Sequence, residues 1–297
     1  MRRLIIVVFL SLSWLACSAA NAAERGALFR LSANGHSMYL FGTMHVGVPA
    51  FYPLEPRIAE AVANAPVLAL ELDPNPSPFA ASRAVDKYGT LPKDAAGGYA
   101  ELPEKKRAFL DEEIRGAGMD PRNAHRLKPV LLAALLSVAE YEKLGYRPEL
   151  STDRELARMA RANGVPIVEL ESLDSQLDML NRLAPPDQWR FLDESLDSLE
   201  SGAQRKEARN VVDAWGSADR HALDQVAQRT AADNTLAGRF TREVLIDGRN
   251  VVLASKLNDL LEKHNGAVVA IGVLHLLGER GVPALLAAHG VTVERVY

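Results

Sequence analysis

The chain has 297 residues, 48% hydrophobic and 24% charged, with a formal net charge of −4. That length and apolar content are enough for a substantial buried core and exclude a disordered chain. The slightly acidic balance offers no basic surface for a phosphate backbone, so no nucleic acid is expected, and a peptide or small-molecule substrate is the expected partner.

The first 23 residues read as a secretory signal peptide. Arg2 and Arg3 precede the apolar run LIIVVFLSLSWLA, and small residues with an Ala20-Asn21-Ala22 cleavage signal lead to Glu24. The run is short for a membrane anchor, which needs about 20 apolar residues. A lipoprotein acylated at Cys17 is the alternative; Trp14, where leucine is usual, argues against it. No other apolar run approaches membrane length, so residues 24–297 are expected to be exported to a bacterial periplasm as one domain with no integral span. Cys17 is the sole cysteine. The mature domain then has neither disulfide nor thiolate, and any metal must be held by His, Asp or Glu.

Past the leader, Asn34-Gly35 between two apolar runs predicts a β-hairpin. Its second strand, in MYLFGTMHVG, delivers Gly42 and then His45. EPRIAEAVANA has helical periodicity, with Glu55 and Pro56 suited to its first turn. PVLALELD reads as a buried strand ending on Glu71. Residues 77–164 are mostly helical, with loops expected at LPKDAAGGYAELP and RPELST. KPVLLAALLSVAEYEKLG reads as a buried helix, and STDRELARMARANG as a helix capped by Ser151 or Thr152 and stopped by Asn163-Gly164. VPIVELES is a short strand bearing Glu169 and Glu171. Residues 174–264 are again helical, FTREVLIDGRNVVLASKLNDLLEKHNG most clearly. An apolar strand over 266–272, a helix over 278–288 and a last strand, VTVERVY, complete the chain. The fold class expected is α/β (α+β): a single domain whose central sheet is built from N- and C-terminal strands, with a large helical insertion.

Two strands thus close on Gly-x-x-His, Gly42 to His45 and Gly272 to His275, over two hundred residues apart. Open α/β sheets place ligand sites at strand carboxyl ends. If these strands are neighbours, His45 and His275 face one site. Glu71 ends a third strand, where it could ligate a metal, orient a histidine or act as a base, its pKa raised by burial. Glu169 and Glu171 point to opposite faces, and Glu171 at the strand terminus is the preferred site candidate. Arg249 can hold a carboxylate bidentately. Asp153 is explained by the helix dipole in a first turn. His36, His125, His221, His264 and His289 read as structural or exposed. There is no G-x-S-x-G elbow, H-E-x-x-H helix, P-loop or G-x-G-x-x-G after a strand, which disfavours a serine triad, a zincin and a nucleotide site.

YLFGTMHVG, VLALELD, STDRELARMA, VPIVELESLDSQLDML, GRNVVLASKL and, most specifically, VVAIGVLHLLGERGVPALLAAHGVTVERV together resemble the TraB/GumN family, which includes the Tiki-type proteases. The resemblance implies an α/β fold shared with erythromycin-esterase-like and haem-linked ChaN-like proteins. It implies a site of paired Gly-x-x-His motifs and a strand-end glutamate, with His45, Glu71 and His275 as catalytic residues and metal ligands, and Arg249 and Glu171 in support. It also suggests a metal-dependent hydrolase, with peptidase action as one form of it, and nitrogen and oxygen donors suit Mn²⁺, Co²⁺ or Zn²⁺. The alternatives are a metal-independent His/Glu hydrolase and a non-catalytic accessory protein binding a metal, haem or a polysaccharide-export partner.

Overall fold

The structure is a computed structural model that describes residues 23–92 and 97–297; the expected leader and its Cys17 lie outside the described residues. Six strands, β1 (Leu28–Ala33), β2 (His36–Thr43), β3 (Leu68–Leu70), β4 (Ile167–Glu169), β5 (Val268–Gly272) and β6 (Thr292–Arg295), form one mixed sheet in the order β4-β3-β5-β2-β1-β6. β1 and β2 form the expected hairpin. Its turn residues Asn34 and Gly35 take φ of 52° and 81°, the left-handed pair that a two-residue turn requires. β4, β3, β5 and β2 run parallel, while β6 closes the far edge antiparallel to β1. The centre of the sheet is thus assembled from both ends of the chain, with β4 from its middle added at one edge.

The register of the central pair positions the site. β2 and β5 align Gly42 with Ile271 and Thr43 with Gly272, so both Gly-x-x-His segments leave the same edge side by side. β5 is buried along its whole length, which explains its unbroken apolar run. One apolar core surrounds the sheet and a second lies within the helical insertion, around Leu110, Leu136 and Leu192. No helix among the described residues is long and apolar enough to cross a membrane.

Three local outcomes differ from the sequence pattern. Gly97–Glu101, expected as loop, is a short helix. The helix expected from 278 begins only at Val282, because Gly278 sits at φ 74° and Pro283 falls in the first turn. The long helix near Arg249 is interrupted by a π-helical stretch, Thr241–Asp247, before continuing as Gly248–Lys263. Such a turn carries one extra residue per turn and often accompanies a functional site. Here it leads into Arg249 and Asn250.

Trp215 anchors the site end of β2. It is fully buried, packs against Phe41 and Phe51, and donates from its indole nitrogen to the Gly42 carbonyl at 2.8 Å. Trp215→Ala is expected to cost about 3–5 kcal/mol through lost packing and the unpaired carbonyl, measured by urea unfolding.

Candidate active site

Each side chain singled out in the sequence as a site residue arrives at the carboxyl edge of the parallel strands. His45 lies two residues beyond β2, Glu71 directly after β3, Glu171 two residues beyond β4, and His275 in the 3₁₀ turn Val273–Leu276 after β5. Arg249 comes from the Gly248–Lys263 helix. They converge on Gly272: a Cβ placed there would lie 3.2 Å from His45 Nε2, 3.3 Å from Glu71 Oε1 and 3.7 Å from His275 Cδ2. Only glycine leaves that space open.

Arg249 clamps two carboxylates. Its Nε donates to Glu171 Oε1 and Oε2 at 3.0 and 3.1 Å, and its Nη2 donates to both Glu71 Oε2 and Glu171 Oε2. Gln176 Nε2 adds a 2.8 Å bond to Glu171 Oε2. Glu71 Oε1 accepts the Gly272 N–H at 2.6 Å. Glu169, as expected, turns away and accepts the Asp73 N–H at 2.8 Å.

Both imidazoles are held by Nδ1. His45 Nδ1 lies 3.0 Å from Asp153 Oδ2, and Thr43 Oγ1 donates to Asp153 Oδ1 at 2.8 Å. This ties the start of the helix Thr152–Ala162 to the residue that follows β2, where Met44 N–H donates to Thr152 Oγ1 at 2.8 Å and Thr152 N–H to the Met44 carbonyl at 3.0 Å. His275 Nδ1 lies 2.6 Å from Asn250 Oδ1. The Asn250 amide is oriented by its own Nδ2, which donates to the Arg280 carbonyl at 2.8 Å. Asn250 therefore presents its oxygen, His275 Nδ1 must carry a proton, and in the neutral ring Nε2 holds the lone pair. That Nε2 faces Glu71 Oε1 at 3.9 Å.

The two histidines differ in charge. Asp153 raises the His45 pKa to about 9, while burial lowers that of His275 to about 4 despite Glu71. Their settings differ too: the His45 side chain is 64% exposed and that of His275 only 6%. For Glu71, burial acts upward as the sequence suggested, but His275, His45, Arg249 and the Gly272 N–H outweigh it and bring the pKa down to about 2. The carboxylate is a fixed anion at neutral pH.

The donor chemistry fits a divalent ion. Metal-binding histidines characteristically donate Nδ1–H to an oxygen and ligate through Nε2. With both rings neutral, three carboxylates (Glu71, Glu171, Asp153) against one guanidinium leave a formal charge of −2 around the cleft. The distances are more open than a bound ion requires. Two ligands about 2.1 Å from one ion stand about 3.0–3.4 Å apart, less than the 3.9 Å here. Among the described residues no three His, Cys, Asp or Glu groups are close enough to hold a metal as they stand. The expected trio lines one space beside Gly272 without standing at ligand distances from one another.

Sequence reading missed Asp153 as a partner of His45 and did not single out Asn250. Asp153 had a sufficient explanation in its helix dipole; Asn250 is a polar residue inside a helix, and its full burial is visible only in three dimensions. The histidines read as structural stay apart from the site: His36 Nδ1 bonds the Leu261 carbonyl and His125 pairs with Asp111.

This is an α/β protein with two Gly-x-x-His turns and a clamped glutamate at one sheet edge. The chain belongs to the TraB/PrgY/gumN family, whose model matches residues 27–295. It is 28% identical over 261 residues to the uncharacterized protein YbaP of Shigella flexneri, covering 86% of this chain and 89% of the relative. The Escherichia coli K12 YbaP is 27% identical over the same coverage. A metalloprotease TIKI homolog from Amphimedon queenslandica is 24% identical over 93% of this chain and 62% of its own length. No solved structure matches the chain.

Two measurements probe this geometry. In metal-free protein the His45 ring should stay protonated up to about pH 9, and Asp153→Asn should lower its titration midpoint by removing the charge that raises it; histidine ¹⁵N NMR reads both, and an unchanged midpoint would refute the pairing. Gly272→Ala should fold, since its φ suits any residue, yet push His45 and Glu71 apart and shift their resonances while the melting temperature changes little.

Proposed function

We propose that the chain is an exported, periplasmic, metal-dependent hydrolase acting on peptides, with His45, Glu71 and His275 as its reacting centre. The observation that carries the reading is the gathering of His45 Nε2, Glu71 Oε1 and the His275 ring around Gly272, each ring secured through Nδ1. Family membership and the similarity to the metalloprotease TIKI homolog of Amphimedon queenslandica support it. His45 Nε2, His275 Nε2 and Glu71 would hold the ion, with Mn²⁺, Co²⁺ and Zn²⁺ compatible with that donor set. When bound, a divalent ion supplies a water of lowered pKa and polarises a carbonyl.

The chain's own groups have distinct tasks. Asp153 and Asn250 fix the ring planes, so that neither Nε2 can turn from the cleft. Arg249 holds Glu71 in place and balances the charge of Glu171, which keeps two carboxylates close without mutual repulsion. His45 at the exposed rim and His275 at the buried floor define the direction from which substrate arrives.

A second reading is favoured by the opposed protonation states of the two rings. Titratable pairs driven apart in pKa mark acid and base partners. Without a metal, neutral His275 would take a proton from water at Nε2, and protonated His45 would deliver one to the leaving group. One experiment separates the readings. Elemental analysis of protein purified without chelators should find one metal equivalent, lost in both His45→Ala and His275→Ala, and exhaustive chelation should abolish peptide hydrolysis until an ion is restored. Hydrolysis that survives chelation, with pH limbs near 4 and 9, would establish the metal-free reading. A protein that binds metal or haem yet hydrolyses no peptide or ester would be an accessory binding protein.

A further inference from the structure

Behind the clamped carboxylates lies a second cavity of about 460 Å³, between the end of β4 and the Gly248–Lys263 helix. Its inner wall is the Arg249–Glu171 pair, whose guanidinium also grips Glu71. The floor is apolar: Leu170 and Met179 are buried, and Val252 is an exposed aliphatic facing the same space. Two further cations line it, Arg182 and Lys256. Lys256 Nζ donates to the Leu170 carbonyl and has no carboxylate partner among the described residues, and Arg182 makes no hydrogen bond or ion pair among them.

Most charges elsewhere around the site are matched. Arg249 is paired twice, and Glu169, the other acid of the cavity, is occupied by the Asp73 N–H. The unmatched pair of cations over an apolar floor is therefore the distinctive chemistry of this space. A monoanion on a short apolar stem satisfies both features. The nearby Glu169 and Glu171 disfavour a dianion such as phosphate, because the added charge would meet repulsion as well as attraction.

We propose that this cavity is a carboxylate subsite, in which Arg182 and Lys256 hold a carboxyl group of the peptide substrate while its apolar portion rests on Leu170, Met179 and Val252. The proposal rests on the peptide-hydrolase reading for its substrate, and it makes Arg182 and Lys256 specificity-determining residues outside the reacting centre. The carboxyl group comes either from the peptide's C-terminus or from an acidic side chain.

Small ligands that present one group at a time test it by direct binding. Isothermal calorimetry on the full chain compares N-acetyl-leucine, which has a terminal carboxylate, with N-acetyl-leucinamide, which has none, and with N-acetyl-glutamic acid α-amide, whose only carboxylate is on the side chain. At least one carboxylate ligand should bind about tenfold or more tighter than the neutral amide, and the tighter of the two identifies the source. Arg182→Gln and Lys256→Gln should each weaken that binding about three- to tenfold, the double variant should remove the preference, and added salt should weaken it. Equal binding of the amide, or a preference indifferent to both substitutions, overturns the subsite. Because binding is read without turnover, a chain that binds carboxylates in this way but hydrolyses nothing defeats the hydrolase reading alone, and an active hydrolase without the preference defeats the subsite alone.

Discussion

The parallel pairing of β2 with β5 is the constraint on which the site depends. Parallel strands share a direction, so the turns at their carboxyl ends emerge at the same edge. With Thr43 opposite Gly272, the two Gly-x-x-His turns start one register step apart. Sliding β5 by one residue would reverse the faces of its side chains and move Gly272 away from the space it opens for His45 and Glu71. The same register brings Gly42 against Val273, where an added Cβ would lie 3.0 Å from Cγ2. The first glycine of one motif thus makes room for the turn of the other, and Gly272 makes room for His45 and Glu71.

Electrostatics then sets what this geometry can do. Two carboxylates beside each other in a buried cleft would ordinarily force one to take up a proton. Arg249 removes that pressure by bonding to both, and the Gly272 N–H adds a donor that the strand end leaves available. Glu71 consequently stays ionised despite burial. The cleft is rich in negative charge, and the proton held on His45 offsets part of it.

Much of this was legible in the sequence because it is encoded locally. Asn34-Gly35 specifies its turn through backbone conformation alone, and the unbroken apolar runs around Leu68–Leu70 and Val268–Gly272 mark strands covered on both faces. His45, Glu71, His275 and Glu171 could be singled out because each lies just past a strand. Arg249 was legible as a carboxylate binder, but not as one that joins two acids 78 and 178 residues away. Asp153 and Asn250 were not assigned to the site, since their roles depend on which helix packs under which strand. The π turn before Gly248 left no mark in apolar periodicity either, because an added residue within one turn merely shifts the phase of the next helical segment.

The unequal partners of the two histidines suggest a division of labour that identical motifs conceal. Asn250 is a neutral amide, itself anchored to the Arg280 backbone, and it fixes the buried His275 without adding charge. That arrangement favours a ring that is neutral near pH 7, with its lone pair on Nε2. Asp153 is a carboxylate anchored by Thr43 beneath a ring that is largely open to solvent, and it makes that ring a stronger base. A more basic imidazole is the better electron donor to an ion and the more strongly protonated ring in the ion's absence. His275 is therefore the constant element of the cleft and His45 the variable one, although the sequence writes both as Gly-x-x-His.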